Sequence, residues 1–133
     1  MTEDPSVLLF RQVNPQHLKD EGGPNSVAFS PTPKDREQLS VDDSRLTSAE
    51  NAHVHFTTNL GFASAGTWAV SAMEVEAVGT LTWRNDPITD VDPLKCNDAH
   101  CVIDFTNVTS KGAKKRVAQT LAIHATVRRR LWP

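Results

Sequence analysis

GTWAVSAMEVEAVGTLTW, residues 66–83, decides the fold class because it holds a strand, a helix and a return strand in one uninterrupted run. Gly66 to Val70 carries the β-branched and aromatic residues of a strand. Ser71-Ala72-Met73-Glu74 then has the spacing of a capping box, in which the serine hydroxyl and the glutamate carboxylate each satisfy a free amide of a helix's first turn. The spacing predicts a helix over 72–78 that stops at Gly79, followed by a strand from Thr80 to Trp83.

Working outward, Val7 to Val13 (VLLFRQV) is short and apolar enough for a strand, and Pro15 ends it. Its single charge, Arg11, falls on the opposite face from Leu8 and Phe10, since side chains alternate along a strand. A planar guanidinium at a sheet edge would suit a phosphate or carboxylate. Asn14 can cap one turn that begins at Pro15. Gly22-Gly23-Pro24-Asn25 reads as a turn and matches no phosphate-loop pattern.

Ser26 to Glu50 places two apolar islands, Val27 to Phe29 and Leu39 to Val41, around the proline-flanked loop Pro31-Thr32-Pro33-Lys34-Asp35. The islands are expected to pair as a broad hairpin, and the stiffened loop presents Thr32 and Lys34 as contact groups. Thr47-Ser48-Ala49-Glu50 repeats the capping spacing, so a principal helix is expected over 47–59, with Ala49, Ala52, Phe56 and Leu60 as its apolar stripe. His53 and His55 lie roughly 200° apart around such a helix and cannot share a metal ion.

Residues 85–99 form the longest irregular connection, rich in aspartate and interrupted by Pro87 and Pro93. HCVIDF, residues 100–105, is a strand with His100, Val102 and Asp104 on one face, which makes Asp104 the carboxylate expected to orient His100. Ser110 caps a second principal helix over 111–127, with Val117, Leu121 and either His124 or Ala125 toward the core. Strand and helix alternate too irregularly for a doubly wound sheet. The chain is therefore expected to form a single α+β domain over 1–133, with four to six short, mainly antiparallel strands, two principal helices and a frayed start over 1–5.

The 38% apolar and 23% charged composition is that of a folded globular chain, and no apolar run approaches the ~18 residues of a membrane span. The N-terminus lacks the basic start and continuous apolar core of a secretory signal, so a cytoplasmic protein without membrane association is expected. The net charge of −2 conceals a division: after Asp104 there are seven basic and no acidic residues, which leaves seven basic against sixteen acidic residues before it, or −9. A basic terminal segment can contact nucleic acid through its phosphates or pack on the acidic body; the missing recognition motifs and the acidic body favour packing.

No nucleophile elbow or cofactor fingerprint is present, and no cofactor is expected. Cys96 and Cys101, with His100 beside the second, make one loose pair where a structural zinc site wants four ligands, so no metal is expected. His100 is the catalytic candidate because it begins a strand with Asp104 on the same face. Arg11, Thr32, Lys34 and His100, joined by His17 and Ser30, would line a cationic cleft for a phosphate-bearing, nucleotide-like ligand if the strands bring them together. The absence of an assembled catalytic motif points first to an accessory or regulatory protein that binds another protein. A ligand-binding enzyme or sensor is the alternative, and nucleic-acid binding through the last helix comes third.

Overall fold

The structure, a computed structural model, describes residues 7–32 and 36–133. The start expected to fray and the middle of the proline loop, Pro33, Lys34 and Asp35, lie outside the described residues. Strands β1 (Leu8–Gln12), β2 (Gln38–Asp43), β3 (Thr67–Ser71), β4 (Thr82–Asn85) and β5 (His100–Asp104) form one antiparallel sheet in the order β3-β1-β2-β5-β4. With helices α1 (Ala49–Val54), α2 (Ala72–Ala77) and α3 (Lys111–Arg128), the domain is α+β.

Alternation along the strands assigns the two faces of this sheet. Leu9 and Val13 of the first strand region, Leu39 and Val41 of β2, Trp68 and Val70 of β3, and Cys101 and Ile103 of β5 join one buried core with Leu121, Ala122 and Ala125 of α3. Each large aliphatic side chain withdrawn from water in this way contributes roughly 1.5–3 kcal/mol. On the other face, Phe10 and Ala69 meet Ala52 of α1 in a smaller core that Leu8, Ala49 and Leu131 border. Ser40, Asp42 and His100 lie on this second face but beyond the smaller core, which leaves polar sheet surface uncovered by α1.

Several expected elements take a different form. Val27 to Phe29 is not a strand. Asn25 accepts from the Val27 amide and starts a 3-10 turn, Ser26–Phe29, whose Ala28 and Phe29 are buried in the main core, so no hairpin with 39–41 forms. At α1 the cap is Ser48 and not Thr47: its hydroxyl accepts from Asn51 N at 3.0 Å, which moves Glu50 out of the position a capping box needs. The helix then widens into a π-helical turn over His55–Asn59. At α2 the capping box forms as read, with Glu74 N donating to Ser71 Oγ at 3.0 Å and Ser71 N to Glu74 Oε1 at 2.8 Å. The strand after it begins at Thr82, because Gly79 takes a left-handed φ of 85° and Leu81 first turns into the core.

Ala125, and not His124, completes the buried stripe of α3. His124 and Arg128 both reach Glu74, and Lys114 pairs with Glu37, so these basic groups pack on the acidic body. Beyond α3, Leu131 N donates to Thr67 O and Thr67 N to Trp132 O, each at 2.8 Å, which lines the outer edge of β3 with the closing segment. Among the described residues no helix is long and apolar enough to cross a membrane.

Candidate functional site

A cavity of about 320 Å³ opens over the polar part of the second sheet face. Its floor is Phe10, Ser40, Asp42 and His100 of the sheet, with Arg11 contributing where β1 and β2 part. His55, Phe56, Leu60 and Phe62 form one wall, and Ile88, Asp90, Lys95 and Asn97 form the other. The walls are tied together by Asn59, whose amide nitrogen donates to Leu94 O at 3.0 Å. The Phe56 and Phe62 rings lie 5.2 Å apart between centroids and give the cavity an aromatic side.

The strand register places the floor groups. Asp42 faces His100 across the β2–β5 pair, while Ser40 sits two residues along the same face of β2. Asp42 accepts from Asn97 Nδ2 at 2.8 Å. Burial raises the pKa of Asp42, against the opposing pull of the Asn97 hydrogen bond and the charges of His100, His55 and Arg11. A carboxyl between two imidazoles and a guanidinium is thus kept less acidic than an ordinary aspartate.

The two histidines present opposite tautomers to this cavity. His100 Nδ1 lies 2.7 Å from Asp86 O, a carbonyl that only accepts, so Nδ1 carries a proton. Its Nε2 is then the acceptor in the neutral ring and takes the hydrogen bond of the Ser40 hydroxyl at 3.1 Å. At His55 the Asn59 amide nitrogen donates to Nδ1 at 3.3 Å, which leaves the proton on Nε2. His53 instead meets Gln12 Oε1 through Nδ1 at 3.1 Å, so His53 and His55 serve different places.

Of the residues singled out in the sequence, Arg11 and His100 line the cavity, whereas Thr32, His17 and Ser30 do not. Lys34 lies outside the described residues. Arg11 is on an interior strand, not at a sheet edge. The β1–β2 register covers Leu9↔Asp43 and Phe10↔Asp42, and the guanidinium spans the gap beyond it, donating to Ala28 O at 2.8 Å and Ser40 O at 2.9 Å. Asp104 does not orient His100: Oδ1 accepts from both the amide and hydroxyl of Thr106, and Oδ2 accepts from Arg84. The carboxylate beside His100 Nδ1 is that of Asp86, at 3.7 Å.

Ser40, Asp42, His55, Lys95 and Asn97 escaped the sequence reading. Ser40 and Asp42 were legible in principle, because the alternation in QLSVDD puts both on the face opposite Leu39 and Val41. Cys101 is buried in the main core, and burial first, then Asp43 and Asp42, push its thiol up to about 12. Among the described residues no group of three or more histidine, cysteine, aspartate or glutamate side chains is placed to hold a metal ion.

Fold and site together define a small α+β protein with a cavity of ligand size over one face of a five-stranded antiparallel sheet. Comparison with protein-family models, curated proteins and solved structures finds no match to this chain.

Proposed function

We propose that the protein binds a small phosphate-bearing, nucleotide-like ligand in this cavity and acts as an enzyme or sensor of it. The reading rests on one observation: a single cavity of about 320 Å³ combines the Phe56 and Phe62 rings with Arg11, Lys95, His55 and His100. An aromatic wall suits a planar heterocycle, and the cationic and imidazole groups suit an anionic head. The volume falls at the lower end of the ~300–1,000 Å³ typical of small-ligand pockets, which favours a mononucleotide over a longer ligand. Asp42 and Asp90 also line the cavity and oppose an anion.

Neither competing reading draws on a feature this defined. Lys114 and Arg128, which nucleic-acid binding would recruit, are engaged by Glu37 and Glu74. A thermal-shift screen of nucleotides and phosphorylated metabolites tests the proposal. A binder at a hundred times its Kd should stabilise the fold by about 2.7 kcal/mol. That increment should shrink in Arg11→Ala and Lys95→Ala, each compared with its own unliganded melt. No shift with any anionic ligand, or increments equal in all variants, would contradict it.

A further inference from the structure

The floor of the cavity contains a hydrogen-bonded chain that ligand binding alone does not require. Ser40 is exposed on β2, and its hydroxyl donates to His100 Nε2 at 3.1 Å. His100 is largely buried, and its other nitrogen is fixed as a donor by Asp86 O at 2.7 Å. A hydroxyl held against the unprotonated nitrogen of an oriented imidazole has the geometry of a serine nucleophile with its general base. The orienting group is a backbone carbonyl, with the Asp86 carboxylate 3.7 Å from Nδ1, where it faces the imidazolium that forms when Nε2 takes a proton. The Arg11 guanidinium, 2.9 Å from Ser40 O, puts a fixed positive charge beside the same residue.

We propose that Ser40 is a nucleophile, activated by His100, that takes a phosphoryl group from the ligand of this cavity. As the bond from Ser40 Oγ to phosphorus forms and the bond from phosphorus to the leaving oxygen breaks, the hydroxyl proton passes to His100 Nε2 and then to that leaving oxygen. In the second step a water molecule gives a proton to Nε2 and attacks the phosphoserine. The Oγ–phosphorus bond breaks, the proton returns to Oγ, and the phosphoryl group leaves with the water oxygen. No electrons change hands, and water is the sole co-reactant. Ser40 and His100 are the catalytic residues of this step, and Asp86 is a positioning residue.

The substrate class rests on the ligand reading above, but the nucleophile is testable without it. The full chain is treated with a fluorophosphonate, which phosphonylates activated serines and displaces fluoride, and the adduct is located by peptide mass spectrometry. The expected result is one adduct on Ser40, absent in Ser40→Ala and formed about 10²-fold more slowly in His100→Gln. In the unaltered chain the labelling rate should also rise with the fraction of neutral His100 imidazole, followed by NMR, a readout that needs no variant to fold. An unlabelled Ser40, or labelling equal in His100→Gln and independent of pH, overturns the proposal. If nucleotides still stabilise the protein in that case, the cavity binds without a serine nucleophile; if neither occurs, both readings fall.

Discussion

Asp42 and Asp43 are neighbours on β2 that face opposite sides of the sheet and carry opposite perturbations. Burial also works against the charged form of Asp43, but hydrogen bonds from the Arg45 side chain and amide and from Asn85 outweigh it, and its pKa is lowered. At Asp42 burial prevails. A carboxyl whose pKa is raised by folding stabilises the fold fully below its ordinary value of 3.8, and that contribution is lost as pH rises through the folded value. Asp42 is therefore a liability at neutral pH that its place in the cavity explains. Asp42→Asn should raise the melting temperature by a few degrees at neutral pH, with the gain shrinking as pH falls toward 3.8. A variant less stable than the parent at neutral pH would contradict this. The sequence singled out His100 because it opens a strand beside Asp104. Its actual partners, Ser40 and Asp86, come from β2 and from the segment after β4, and only the register β2·β5·β4 brings them together.

Elements were readable where local chemistry has one solution. The Ser71 and Glu74 box, the Gly79 stop and the Ser110 cap are such cases, and α2 and α3 form where they were expected. Thr47 and Ser48 offered two possible caps one residue apart, and local spacing alone chose the wrong one. Ser48→Ala should therefore cost about 0.5–2 kcal/mol in chemical denaturation while Thr47→Ala costs little; the reverse order would restore the capping box to Thr47. The π-helical turn over His55–Asn59 leaves no signature in the sequence that distinguishes it from regular helix. Yet it divides the expected stripe: Ala49 and Ala52 cover the sheet, while Phe56 and Leu60 line the cavity. π-helical turns of this kind frequently occur at functional sites, where they redirect side chains.

At the scale of the whole molecule, the sheet is closed on its β3 side by the segment after α3, and Gly66 permits that approach. A Cβ there would lie 2.5 Å from Arg130 Cδ and 2.6 Å from Trp132 O, on backbone with φ of 152°. Gly66→Ala should lower stability by about 1–3 kcal/mol through displaced backbone and strain, and an unchanged melting temperature would show that the edge is not held in this way. The charge division seen in the sequence resolves partly into contacts, since Lys114 and Arg128 bind Glu37 and Glu74. The cavity was not legible as a whole, because its walls come from the π turn and the 85–99 connection, which only the folded chain sets over β2 and β5. The claim that this cavity is a ligand site is tested most directly by backbone NMR of the full chain titrated with nucleotides and phosphorylated metabolites. Saturable shifts confined to Arg11, Ser40, Asp42, His55, Phe56, Phe62, Lys95, Asn97 and His100 are expected. Shifts confined to the basic residues of α3, or none with any ligand, would contradict it.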